Sequence, residues 1–172
     1  MKKTLKLFAI LGLGILLCQN TFAQDKKIKE GTGVGDRCME IVQDDPNGNE
    51  VRLSTVLPKN EYVLVDFWAS WCGPCMREMP YLLAAKAKYG EKGFEIFGVS
   101  LDFRKEAWTE TIDKYELDWI HVSDLEYWQN KAAVKFGVRS IPTNYLVDKN
   151  GVIVDKNLRG TALMDKLAEL LD

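Results

Sequence analysis

The 172-residue chain holds a single histidine, His121, and no apolar run approaches the ~20 residues that a membrane-spanning helix requires. A site built of several histidines is therefore excluded, and a zinc site at Cys72 and Cys75 would need two more ligands, for which Cys38 and His121 are the obvious candidates. Basic residues do not dominate: 23 Lys and Arg stand against 25 Asp and Glu, a net charge of −2, so nothing points to a nucleic-acid partner. No repeat of solenoid period is visible. What is present is a chain 47% hydrophobic and 10% aromatic, long enough for one well-buried domain.

Lys2, Lys3 and Lys6 precede an apolar run from Leu7 to Leu17, followed by Thr21-Phe-Ala23. A run of roughly a dozen apolar residues after a basic start, with a small residue at the end, reads as a secretory signal peptide over residues 1–23. Lipoprotein processing at Cys18 is the alternative, disfavoured by Leu17 where such signals carry a small residue. Cleavage after Ala23 removes three lysines and no acid, taking the charge from −2 to −5. Residues 24–34 are polar, aperiodic and expected to form a flexible tether, and residues 35–172 the folded domain.

The chemistry concentrates in Val63-Leu-Val-Asp-Phe-Trp-Ala-Ser-Trp-Cys-Gly-Pro-Cys75. A buried strand runs here into the first turn of a helix, and the fixed φ of Pro74 suits the first helical position. Unpaired N–H groups and the positive end of the helix dipole favour a thiolate at that point. Cys72 is accordingly expected to be acidic, exposed and nucleophilic, with Cys75 one turn in. The bland readings are a structural disulfide or half of a metal site.

Around this segment, Met39–Gln43 and Glu50–Leu53 read as short strands joined by an Asn47-Gly48 turn, with Ser54 capping a helical turn that Pro58 ends. The helix after Cys75 is expected to run past Pro80 to Tyr89 and stop at Gly90, followed by a parallel strand over Phe94–Ser100. Helices about Lys105–Tyr115 and Tyr127–Phe136 flank a possible extra strand in Leu117–Val122. A strand after Pro142, a turn at Asp148-Lys-Asn-Gly151, a strand Val152–Asp155 and a helix about Ala162–Leu171 capped by Thr161 complete the chain. Cys38 reads as a small buried hydrophobe or else a third redox cysteine, Trp68 as core, and His121 as part of the surface of the inserted segment.

The string Val65-Asp-Phe-Trp-Ala-Ser-Trp-Cys-Gly-Pro-Cys75 resembles the active-site segment of the thioredoxin superfamily. The N-terminal hairpin, the long stretch Leu101–Asp124 and the pattern Cys72-Gly-Pro-Cys-Met-Arg-Glu-Met-Pro80 are similar to the TlpA/ResA-type envelope reductases. The resemblance implies an α/β thioredoxin fold: a central mixed sheet flanked by helices, with a hairpin extension and an insertion before the cis-proline strand. It implies a Cys72/Cys75 disulfide exchanging with protein disulfides, with no metal and no separate cofactor. Asp66 takes the place of a buried acid that relays the proton of Cys75, and Glu78 that of a glutamate near the sulfurs. Trp71, Gly73, Pro74, Ile141 and a cis Pro142 are implied to receive an extended client peptide. Where thioredoxin pairs its acid with a strand lysine, this chain has Gly98.

The resemblance further implies a soluble periplasmic monomer, a membrane thiol-transfer donor of the DsbD/CcdA kind, and clients such as apocytochrome c. The rival readings are a peroxiredoxin-like peroxide reductase and a non-catalytic module that keeps the fold.

Overall fold

Residues 28–172 are described by the computed structural model, so the signal-peptide reading and Cys18 lie outside the described residues. Among the described residues, no helix is long and apolar enough to cross a membrane. The chain opens with β1 (Glu30–Gly31), paired in parallel with β2 (Arg37–Cys38). The far half of the expected tether is thus paired, anchored as well by Gly33 N–H donating to Asp36 at 2.9 Å. β3 (Val42–Asp44) and β4 (Glu50–Arg52) form the antiparallel hairpin anticipated from the Asn-Gly step. The Asp45 carboxylate accepts the N–H groups of Asn47 and Asn49 at 2.8 and 2.9 Å, and Gly48 supplies the positive φ of 83°.

α1 (Leu53–Val56) follows directly. Ser54 lies inside it instead of capping it, and Pro58 sits within a succeeding 3₁₀ turn, Leu57–Lys59, where its missing N–H costs nothing.

The framework is β5 (Tyr62–Trp68), α2 (Gly73–Tyr89), β6 (Phe94–Ser100), α3 (Lys105–Lys114) and β7 (Ile120–Val122). A 3₁₀ turn at Tyr127–Gln129 leads to α4 (Lys131–Lys135), β8 (Thr143–Asp148), β9 (Ile153–Lys156) and α5 (Thr161–Leu171). The five-stranded sheet has the order β7-β6-β5-β8-β9, parallel from β7 to β5 and antiparallel from β5 to β9. Central β5 is apolar on both faces, with Val63, Leu64, Val65 and Phe67 wholly buried. Each such side chain contributes ~1.5–3 kcal/mol relative to exposure. α2 buries Cys75, Met79, Leu82, Ala85 and Tyr89, the helical stripe that lays it on the sheet, and α5 packs beside it through Leu163 and Leu167.

Two sequence expectations are corrected by tertiary packing. Thr161 is the first residue of α5, whose cap position is Gly160 at φ 52° and ψ −128°, a region open mainly to glycine. His121 is not on the surface of the inserted segment but 5% exposed, because β7 joins the sheet and turns the ring inward. There it lies 5.7 Å from the Trp68 ring and 5.4 Å from that of Trp119, its Nε2 3.1 Å from Leu117 O.

Gly98, paired with Asp66 on one side and His121 on the other, makes room for these rings. A Cβ there would stand 3.1 Å from Trp68 Nε1, 3.2 Å from His121 Nδ1 and 3.3 Å from Trp119 Nε1. Gly98→Ala is therefore expected to lower the unfolding free energy by ~1–3 kcal/mol through overpacking, measured by urea titration at constant m-value.

Candidate active site

At the carboxyl ends of parallel β5 and β6 the chain leaves the sheet, and the reactive segment sits in that opening. The loop out of β5 is braced by Asp102, a buried carboxylate just past β6. Asp102 accepts from Ser70 N at 3.0 Å, from Ser70 Oγ at 2.5 Å and from Ser100 Oγ at 2.7 Å. Leu101 N donates to Trp68 O at 2.8 Å and Cys72 N to Ala69 O at 3.1 Å, so the backbone before the first cysteine is held on both sides. Neither Asp102 nor Ser70 carried a sequence signal, because the bond joins residues from separate strands.

Cys72 is the N-cap of α2, with β-region φ −88° and ψ 95°, and Cys75 N–H donates to its Sγ at 3.1 Å. The helix begins at Gly73, which places Pro74 second instead of first; a missing N–H is tolerated equally there. Cys72 and Cys75 form a disulfide across a Cα separation of 5.2 Å. The expectation of an exposed Cys72 is corrected: it is 4% exposed and Cys75 1%. The two sulfurs are bonded to each other, and Cys75 opens the buried stripe of α2. The neighbouring Trp71 is the open residue, 40% exposed. Its ring centroid lies 5.1 Å from that of Tyr127 and 6.0 Å from that of Trp128, an aromatic rim contributed by the 3₁₀ turn before α4.

Pro142 follows Ile141 through a cis peptide bond at the entry to β8. Both residues are half-buried, while Gly73 and Pro74 are exposed on α2.

Asp66 is 5% exposed, on β5 between Gly98 of β6 and Asn144 of β8. Burial pushes its carboxyl up to about 7, against the opposing effects of the Arg159 guanidinium and the Asn144 amide; the negative charge of Glu78 raises it further. Glu78 is not an ordinary exposed helix glutamate, since its Oε2 accepts Gly160 N–H at 2.8 Å and ties α2 to the start of α5. Asn144 and Arg159 escaped the sequence reading, which offered no local pattern for either. Cys38 is buried, and burial, reinforced by Glu40, pushes its thiol up to about 12, the state of an inert hydrophobe.

Asp66 and His121 act on stability in opposite directions. The carboxyl is raised on folding, so its contribution is full below about pH 4 and is lost as pH rises towards about 7. The imidazole is held down to about 4 by burial, so its contribution is full above about 6.5 and is lost as pH falls towards 4. Asp66→Asn is expected to unmask a stability that climbs from pH 4 to 6.5, and His121→Gln one that falls from pH 4 to 7. Denaturant unfolding of the oxidised protein across that range measures both.

The geometry agrees with what the chain is similar to. The model of the AhpC/TSA family matches residues 34–156. The thiol-disulfide oxidoreductase ResA of Bacillus cereus is 31% identical over 163 residues, covering 91% of this chain and 89% of that protein. Among solved structures, the thioredoxin domain of a thiol-disulfide oxidoreductase from Bacteroides vulgatus superposes with a TM-score of 0.75 at 34% identity, covering 81% of this chain and 99% of that one. A putative thiol:disulfide interchange protein DsbE from Chlorobium tepidum gives 0.72 at 26% identity, covering 83% and 100%. The sheet order, the helix-start dithiol and these relatives together identify a thioredoxin-fold thiol-disulfide oxidoreductase, and the chain belongs to the AhpC/TSA family in its ResA-like branch.

Proposed function

We propose that the protein is exported and acts outside the cytoplasm, in the periplasm, as a reductant of protein disulfides. The disulfide exchange in this reading is carried by the Cys72–Cys75 pair at the start of α2, with the buried carboxyl of Asp66 on the strand that leads into it. In the reduced enzyme the Cys72 thiolate, favoured by the helix end and the Cys75 N–H, attacks one sulfur of a client disulfide. A mixed disulfide forms and the other client sulfur leaves as a thiolate. The Cys75 thiol then passes its proton to the Asp66 carboxylate and attacks Cys72 Sγ. The client sulfur bonded to Cys72 departs as a thiolate with the bonding pair, and the enzyme is left as the observed disulfide.

In this reading Trp71, Gly73 and Pro74 beside the dithiol, together with the backbone of Ile141 and Pro142, receive an extended client segment. Glu78 supports the site from α2. No metal or separate cofactor enters the cycle, since the electron pair is stored in the sulfur–sulfur bond. An oxidising compartment demands that the enzyme be recharged, for which a membrane thiol-transfer protein of the DsbD/CcdA kind fits. The resemblance to the TlpA/ResA-type reductases extends the proposal to cytochrome c maturation, with apocytochrome c as a client of a monomeric enzyme. Peroxide reduction is the poorer reading: its cysteine belongs in a threonine-rich loop, and here Trp71-Cys-Gly-Pro-Cys75 occupies the place.

Insulin reduction is expected for the wild type and abolished in Cys72→Ser, while Cys75→Ser accumulates clients as mixed disulfides visible on non-reducing gels. Activity surviving Cys72→Ser would remove the reading. A reduction potential near the about −120 mV of DsbA would instead reverse the direction of transfer. Asp66→Asn is expected to slow resolution of the mixed disulfide at pH 7 by about a hundredfold, read by rapid quench.

A further inference from the structure

Three consecutive residues of the loop between β9 and α5 each touch a different part of the site. Asn144, the strand partner of Asp66, holds Leu158 by both backbone groups: its Nδ2 donates to Leu158 O at 2.9 Å and its Oδ1 accepts Leu158 N–H at 2.9 Å. Asn157 N donates to Asn144 O at 2.8 Å, so the loop's register against β8 is set just before Arg159. The Arg159 guanidinium then donates through Nη1 to Leu158 O at 2.7 Å and through Nη2 to the carbonyl oxygen of Pro142. The next residue, Gly160, gives its N–H to Glu78. The guanidinium is half-buried and bonded to backbone oxygens of its own loop and of the cis-proline turn.

The surroundings of Asp66 explain why a cation is needed here. On β6 its neighbour is Gly98, without a side chain; on β8 it is Asn144, uncharged. Beyond Gly98, on β7, His121 is buried and neutral above about pH 4. α2 contributes the thiols of Cys72 and Cys75 and the carboxylate of Glu78, whose charge opposes ionisation of Asp66. Arg159 directly follows Leu158, which Asn144 holds next to Asp66, and its charge favours the ionised carboxyl without a direct ion pair.

We propose that Arg159 is a positioning residue with two tasks: it clamps the Pro142 carbonyl that shapes the client-receiving turn, and it is the counter-cation of the buried Asp66 carboxylate. This rests on the reading of Asp66 as the base for Cys75. The two tasks separate chemically. Lysine keeps the charge without the planar fork, whereas methionine keeps the bulk and loses both.

The test follows insulin reduction by the full-length enzyme from pH 5 to 9 in wild type, Arg159→Met, Arg159→Lys, Asp66→Asn and the Asp66→Asn/Arg159→Met double variant, with thermal melts confirming folding. Arg159→Met is expected to move the midpoint of kcat upward by about one pH unit and to raise KM about tenfold. Arg159→Lys is expected to restore the midpoint and not KM. In the Asp66→Asn background, Arg159→Met should leave the pH profile where Asp66→Asn put it.

Folded Arg159→Met with wild-type midpoint and KM overturns the proposal, as does a midpoint shift of equal size in the Asp66→Asn background. If Asp66→Asn alone leaves the wild-type profile intact, the base reading falls and takes the counter-cation role with it, while the KM of Arg159→Met still reports the clamp. Failure of the function and failure of the inference are thereby told apart.

Discussion

A carboxyl group held in the middle of an otherwise apolar sheet is the constraint around which the site is arranged. Removing Asp66 from water costs several kcal/mol if the group is charged, and the protein meets this cost partly by raising its proton affinity and partly by placing compensating groups nearby. Gly98 on one flank leaves space filled by ring nitrogens of Trp68, His121 and Trp119, and Asn144 on the other supplies a dipole. Compensation by charge comes from the loop after β9, not from a neighbouring strand. The carboxyl is left balanced near neutrality, the condition under which an acid can both accept and return a proton at working pH.

The dithiol above it is positioned by the same economy of backbone groups. The helix N-terminus has N–H groups to satisfy, and Cys75 N–H is directed at the sulfur of Cys72. The loop that delivers Cys72 is anchored by Asp102, and the cis-proline turn opposite is anchored by Arg159. Both segments therefore rest on bonds made by side chains remote from them in sequence.

The additions to the minimal fold are joined to this frame and do not hang from it. Gln43 of the hairpin and Asn130 at the start of α4 exchange side-chain hydrogen bonds of 3.0 and 3.4 Å, and Asn130 also bonds Ser100 O and caps α4 through Ala133 N. Ser123 N donates to Asp44 O at 3.0 Å. The insertion brings β7 to the sheet edge, and the 3₁₀ turn that follows brings Tyr127 and Trp128 to the side of Trp71.

Local sequence determined the strand β5, the helix α2 with its buried stripe, both hairpins and the placement of two cysteines where a helix starts, because periodicity, turn residues and helix ends act over a few residues. The family resemblance carried the cis bond at Pro142 and the burial of Asp66. Tertiary structure alone decided the rest. Arg159, Asn144 and Asp102 matter through partners distant in the chain, His121 is buried because its strand found the sheet, and Thr161 yielded the cap position to a glycine whose N–H Glu78 required. Cys72 is covered because its sulfur is bonded inward. Charge compensation of a buried group depends on distance in space, and linear order carries no record of it.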